Sequence, residues 1–304
     1  MDNAHCCWLK PTVNMSRLNE TSTGCTSGYF TGPAPANAMP TVKLQHSGVH
    51  FPYVSLGTGS GMIEKGNVCE DATSTWLSAD VGGTAIDTAY VYNDQANVTR
   101  GIRDVQPPLA REDYFLTTKC PPGTTAEVRR CIADNLELLQ TTYVDVLLVH
   151  WPSSTDAQAT LASWKAVQEA FVNGTARAIG VSSFLQADLE MIINEAGTPL
   201  PDINQASLSI GEHDDATIAY CASVGIVYES FSPLRKGEVL DYQEVVDIAA
   251  AHGVSPAQVA LKWIVQGGFP LTTAVTNQDY MIEDLDLWSW GNLTDAEMAT
   301  LSAI

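Results

Sequence analysis

Four side chains in this chain could move a proton between them: Asp87, Tyr92, Lys119 and His150. Three stand at the ends of apolar runs. Ile86 leads into Asp87, Tyr114-Phe115-Leu116-Thr117-Thr118 ends in Lys119, and Val144-Asp145-Val146-Leu147-Leu148-Val149 ends in His150. Tyr92 follows Asp87 by five residues. A phenol can donate a proton, but its free pKa of about 10 makes it sluggish near neutrality. A nearby ammonium favours the phenolate and so eases release. A carboxylate can hold that ammonium in place, and an imidazole can assist the transfer. Buried strands that finish in Asp, Lys and His predict one site at one end of a parallel barrel, where such folds keep their chemistry.

The elements that must position these groups can be read in order. Thr41–Gln45 and Val49–Val54 flank Ser47-Gly48 and predict a small hairpin. Pro52 to Leu56 reads as the first barrel strand, leading into Gly57-Thr58-Gly59-Ser60-Gly61. A dinucleotide fingerprint there fails, because its third glycine would fall on Met62. Strands are predicted over 84–86, 114–118, 144–149, 178–181, 202–205, 226–230 and 271–275. Helices are predicted between them, over 68–79, 95–103, 126–139, around Trp164 to Phe171, 187–195, 215–223, 242–251 and 256–266. Two more close the chain near 279–286 and 294–302. Gly82-Gly83 and Asn173-Gly174 read as helix stops, Ser255-Pro256 as a start, and Thr294 with Glu297 as a capping box. The fold class that follows is α/β: a (β/α)8 TIM barrel with an N-terminal β-hairpin over residues 39–304, close to the ~250 residues typical of that fold.

Composition narrows the function. The net charge of -20, from 35 acids against 15 bases, argues against a nucleic-acid partner. No apolar run reaches membrane-spanning length, so no membrane partner is expected. Residues 1–38 are rich in Ser, Thr, Asn, Gly and Pro and read as a tail without a stable core. They carry no apolar stretch long enough for a secretory leader, so the cytoplasm is the expected place. Few acids in that stretch leave a transit peptide open. Sequons at Asn14, Asn19, Asn97, Asn173 and Asn292 read as accidents of a Ser- and Thr-rich chain. Seven cysteines without a Cys-x-x-Cys predict reduced core thiols rather than a disulfide framework, with Cys6-Cys7 on the tail.

Several stretches then carry a family resemblance by their order and spacing. They are Ile86-Asp87-Thr88-Ala89-Tyr90 with Tyr92, Thr117-Thr118-Lys119, and Tyr143-Val144-Asp145 leading to His150-Trp151-Pro152. Ala178-Ile179-Gly180-Val181-Ser182, Asn204-Gln205, Ser232-Pro233-Leu234 and Pro256-Ala257-Gln258 with Trp263 complete them. Over residues 39–304 the chain resembles the aldo-keto reductase family.

The resemblance implies a catalytic four of Asp87, Tyr92, Lys119 and His150, all intact. The implied reaction is reduction of an aldehyde or ketone, with hydride from a nicotinamide and a proton from Tyr92. It implies that Ser182 and Gln205 hydrogen-bond the nicotinamide amide. Ser183 stands where the family usually has Asn. Phe231 takes a stacking position where Tyr is common, and Ser232 and Leu234 line the pyrophosphate. Gly57 and Thr58 are expected at the cofactor, and Glu283 at its adenosine end. Trp151 and His150 are expected to face the substrate. NADP(H) is the cofactor implied, with NAD(H) as the alternative, and no metal. Thr272-Thr273-Ala274-Val275-Thr276 and Tyr280 lack the cations that usually hold a 2′-phosphate, and Asp284 replaces a common Asn. Weaker NADPH discrimination is therefore expected, unless Arg235 or Lys236 reaches the phosphate. Gly59 sits where a pocket aromatic is frequent, so an open pocket is expected.

The reading is an NAD(P)H-dependent carbonyl reductase acting on a small molecule, a monomer by default. The competing reading is a non-catalytic cofactor-binding subunit on the same barrel, which fold alone does not separate from an enzyme.

Overall fold

A hairpin plugs the bottom of the barrel before the barrel itself begins. Strands β1 (Thr41–Lys43) and β2 (His50–Pro52) pair antiparallel, with Val42 opposite Phe51. Leu44 and Phe51 bury completely against Val146, Leu148, Ala178 and Ile203. Asp202 fixes the turn by accepting from the backbone N–H groups of His46 and Ser47, each at 3.0 Å. The computed structural model describes residues 39–59, 61 and 67–304. The expected tail over 1–38, with Cys6-Cys7 and two of the sequons, lies outside the described residues.

Eight parallel strands close the barrel in the order β10-β3-β4-β5-β6-β7-β8-β9. They are β3 (Val54–Gly57), β4 (Ala85–Asp87), β5 (Phe115–Cys120), β6 (Val144–Val149), β7 (Ala176–Ser182), β8 (Ile203–Ser207), β9 (Val227–Phe231) and β10 (Leu271–Thr273). All six residues of β6 are buried, as expected for a strand covered on both faces. Helices alternate with the strands: α1 (Val68–Trp76), α2 (Gln95–Asp104), α3 (Thr125–Leu139), α4 (Ala157–Val172), α5 (Gln186–Ala196), α6 (Asp215–Ser223), α7 (Gln243–His252) and α8 (Pro256–Gln266). Two more, α9 (Gln278–Leu285) and α10 (Asp295–Leu301), close the chain. Trp76, Trp164 and Trp263 anchor α1, α4 and α8 in the outer core. The Ser255 start and the Thr294–Glu297 capping box form as expected. No helix among the described residues is long and apolar enough to cross a membrane.

Two expectations need correction. Cys120, at the end of β5, is disulfide-bonded to Cys131 on α3. Eleven residues of turn and helix bring the two Cα atoms to 6.0 Å, within reach of a bridge, and one-dimensional spacing does not show this. Cys69 and Cys221 do remain free, and burial pushes both thiols up to about 12. The last barrel strand is also shorter than predicted, stopping at Thr273 because Thr276 and Asn277 already lead into α9.

Asp145 ties the base of three strands together. Buried on β6, it accepts from Leu116 N at 2.8 Å, Arg111 Nη2 at 2.6 Å and Arg177 Nη1 at 2.5 Å. The Arg111 guanidinium lies 4.2 Å from the Tyr143 ring centre. Asp145→Ala would strand the half-buried Arg111 cation and a buried backbone N–H. We expect it to cost about 3 kcal/mol or more of stability. A urea titration checks this, and a loss below about 1 kcal/mol would refute the role.

Candidate active site

The carboxyl ends of β4, β5 and β6 bring the four predicted residues together. Asp87 closes β4, and Lys119 is the penultimate residue of β5. The Lys119 ammonium donates to Asp87 Oδ1 and, at 3.1 Å, to the Thr88 carbonyl. With Lys119 only 1% exposed, the pair is shut off from water. Burial pulls the ammonium's pKa down, but Asp87 and Tyr92 push harder, and it ends above its ordinary value. It is a permanent cation in the physiological range.

Tyr92 comes from a single 3-10 turn, Tyr90–Tyr92, that leaves β4 sharply. Asn93 ends the turn in the left-handed region, at φ 55°, which Asn tolerates better than most residues. Buried Asp94 anchors it by accepting from Thr88 Oγ1 at 2.6 Å. The turn sets the Tyr92 ring centre 5.2 Å from Lys119 Nζ and Tyr92 Oη 3.4 Å from His150 Nε2. Burial, followed by Lys119, pushes the His150 pKa down to about 3, so the imidazole is neutral. Trp151 tilts against it with ring centres 4.5 Å apart and remains 38% exposed, forming an accessible wall.

The expected easing of the phenol by Lys119 is present, but burial outweighs it. Burial raises the Tyr92 pKa more than Lys119 lowers it, and Asp87 adds to the rise. The phenol therefore stays protonated at neutral pH, as a donor must. Gly59 packs directly on it: a Cβ at that position would strike Tyr92 Cζ and lie 2.8 Å from Oη. The missing pocket aromatic thus makes room for the phenol itself.

The expected cofactor residues lie along β7, β8 and β9. Ser182 and Gln205 are paired neighbours in the sheet. Gln205 is 2% exposed, and its Nε2 donates to Asp87 Oδ2 at 2.8 Å and to Glu229 Oε2 at 2.9 Å. Both amide hydrogens are thereby used, leaving only the Gln205 carbonyl oxygen for a ligand. Ser183, in the left-handed region at φ 59°, is exposed beside them. Phe231 ends β9 half-buried, followed by exposed Ser232 and half-buried Leu234. Gly57 and Thr58 are both buried. A Cβ on Gly57 would sit 2.7 Å from Thr272 Oγ1, and Thr58 N donates to the Asp87 carbonyl at 3.0 Å.

Several buried polar atoms at this end have no protein partner: His150 Nδ1, Thr272 Oγ1 and Glu229 Oε1. Buried polar groups normally find partners. Glu229 Oε1 is on the strand beside Gln205, and with the Gln205 carbonyl and the Ser182 hydroxyl it suits a polar amide such as that of nicotinamide. Glu229 was missed by sequence reasoning. The available signal was an acid in an apolar run, two residues before Phe231 and so on the same face of its strand.

The adenosine end has few positive groups. Exposed Tyr280 and half-buried Glu283 lie on α9. Asp284 is buried, accepts from Thr273 Oγ1 at 2.9 Å, and is pushed up to about 7 by that burial. Arg235 is engaged with Glu212 at 3.4 Å and Glu238 at 3.3 Å. Among the described residues of that loop, this leaves exposed Lys236 as the uncommitted cation.

Comparison with known proteins agrees with this arrangement. Residues 55–304 match the sequence profile of the aldo/keto reductase family. The chain is 32% identical over 272 residues to a glyoxal reductase of Bacillus subtilis (strain 168), covering 89% of this chain and 94% of that protein. It is 30% identical over 256 residues to a methylglyoxal reductase of Escherichia coli (strain K12), covering 83% and 90%. Among solved structures, an aldo/keto reductase from Brucella melitensis superposes with a TM-score of 0.80 at 29% identity, covering 88% of this chain and 99% of that one. A Bombyx mori aldo-keto reductase in complex with NADP gives 0.79 at 26% identity, covering 87% and 92%.

Proposed function

The chain belongs to the aldo/keto reductase family and is a nicotinamide-dependent oxidoreductase of carbonyl compounds, and from that premise we propose that it reduces small, reactive 2-oxoaldehydes with Tyr92 as the acid. One observation carries the assignment of the acid: the Tyr92 ring lies against the buried Lys119 ammonium while its Oη meets the neutral His150 Nε2 at the strands' carboxyl ends.

A nicotinamide held at the Ser182–Gln205–Phe231 end would supply the hydride for the carbonyl carbon. The chain's own residues do the rest. Tyr92 Oη gives its proton to the carbonyl oxygen. The phenolate left behind lies next to Lys119, which Asp87 holds in place. A preorganised, buried cation beside a developing anion is worth far more than it would be in bulk solvent. Neutral His150 orients the oxygen through Nε2, and Trp151 bounds the substrate. Ser182 and the Gln205 carbonyl would hold the carboxamide of a bound nicotinamide, and Phe231 would stack on its ring. The substrate class is supported by the likeness to a glyoxal reductase and a methylglyoxal reductase and by the accessible wall at Trp151. Nothing favours the non-catalytic subunit. Following reduced-cofactor absorbance with glyoxal, methylglyoxal and a series of longer alkanals tests the reading. A preference for the long alkanals would overturn the substrate class.

Gly59 gives a second test. Gly59→Ala would displace the phenol while leaving the cofactor groups in place. Misplacement by about an ångström costs on the order of a hundredfold in turnover. We expect kcat to fall by that order with cofactor Kd unchanged. An unaltered kcat would show that Tyr92 has slack.

Cofactor choice is expected to be relaxed. A 2′-phosphate in a chain of net charge -20 needs local cations. Ala274 and Tyr280 supply none, and Arg235 is committed to two carboxylates. Kd values for NADPH and NADH at two salt concentrations decide the point. NADPH binding about a hundredfold tighter, and weakening steeply with salt, would contradict this and point to Lys236.

A further inference from the structure

Glu229 takes no part in the proton and hydride transfer described so far. It is 0% exposed and sits at the centre of β9, in the layer formed with Gln205 of β8 and Ser182 of β7. Its Oε2 accepts from Gln205 Nε2, which also binds Asp87. Its Oε1 has no partner. Phe231, two residues on, lies on the same face of the strand. Glu229 is therefore a second buried carboxyl in a cluster that holds one cation, Lys119, already bonded to Asp87.

We propose that Glu229 is a proton store keyed to the oxidation state of the nicotinamide, protonated beside the reduced cofactor and ionised beside the oxidised one. The proposal rests on the nicotinamide lying at the Ser182–Gln205–Phe231 end. Reduced nicotinamide is neutral there, and the oxidised ring carries one positive charge. A cation brought into a desolvated site favours the charged form of a nearby carboxyl. The Glu229 O–H bond breaks, its proton passes to solvent, and the carboxylate balances the ring. With the reduced ring the same carboxylate would have only Lys119 to answer it, shared with Asp87, so the proton is kept.

The groups facing Glu229 support this balance. Asp87 on β4 and Lys119 on β5 are the charged ones, and Tyr92 and His150 lie beyond them. Gln205 on β8 is neutral, and β10 offers only Leu271, Thr272 and Thr273. Burial, then Asp87, pushes the Glu229 carboxyl up to about 8, with Gln205 and Lys119 pulling down. His150 has already lost its proton at neutral pH and Tyr92 still holds its own. Glu229 is thus the member of the cluster poised to change charge.

The test is the ratio of the NADP+ and NADPH dissociation constants as pH rises, read from quenching of tryptophan fluorescence. Both forms carry the same adenosine and 2′-phosphate, so titration of Asp284 and of the phosphate cancels in the ratio. If oxidised cofactor expels the proton, the ratio falls by up to about tenfold per pH unit between the two Glu229 pKa values. We expect at least a tenfold fall between pH 6 and 8 for the wild-type chain. Glu229→Gln keeps an acceptor for Gln205 and removes the titration, so its ratio should stay flat within about twofold. A flat wild-type ratio overturns the proposal whether or not the variant folds. A variant that tracks the wild type also overturns it and assigns the proton to another group such as Tyr92. Failure of the wild type to bind either form would instead overturn the cofactor reading on which the proposal rests.

Discussion

Tyr92→Phe is expected to abolish carbonyl reduction while leaving the protein folded and able to bind cofactor. The substitution removes one half-buried hydroxyl, which meets His150 Nε2 at 3.4 Å and also interacts with the Lys119 ammonium. Stability should therefore change little. Turnover should fall by about a thousandfold or more, because general-acid catalysis and the stabilised phenolate are lost together. With kcat and kcat/KM falling alike, the loss would belong to the transition state rather than to substrate binding. Steady-state kinetics alongside a cofactor titration separates these effects. Turnover within tenfold of the wild type would remove Tyr92 from the mechanism.

Lys119→Met is expected to damage both stability and catalysis. It leaves Asp87 as a buried carboxylate that has lost its cation and keeps only Gln205 as a side-chain donor. Breaking one side of a buried pair typically costs about 3–5 kcal/mol. Turnover should drop at least a hundredfold, since the phenolate formed at Tyr92 would lose its neighbouring cation. The double substitution Lys119→Met with Asp87→Asn removes the stranded charge. It should regain part of the stability and none of the activity. If Lys119→Met melts with the wild type, the pair is not the buried bond described here. If the double variant regains turnover, the cation is not catalytic.

Much of this site was legible because its parts sit where patterns end. Asp87, Lys119 and His150 each close an apolar run, and a parallel barrel turns those ends toward one mouth. Helix starts such as Ser255-Pro256 and Thr294 with Glu297 were legible because capping is local chemistry. What stayed hidden depends on contacts between distant strands. Glu229 reads as an ordinary polar residue in a strand until closure of the barrel places it against Gln205 and Asp87. The net rise of the Tyr92 pKa stayed hidden because burial sums over many elements, whereas Lys119, which does lower it, was visible as a single neighbour. The Cys120–Cys131 bridge needed the turn from β5 into α3 in three dimensions. The contact of Gly59 with Tyr92 likewise joins two strand ends.

The central claim is that Tyr92 supplies the proton and a bound nicotinamide the hydride to one carbonyl at this barrel end. It is tested most directly by giving the wild-type chain and Tyr92→Phe a reduced cofactor deuterated at the nicotinamide C4 position, with methylglyoxal as substrate, and analysing the alcohol by mass spectrometry. The account predicts carbon-bound deuterium in the product of the wild type and almost no product from the variant. Product without deuterium, or equal deuterated product from both proteins, would contradict it.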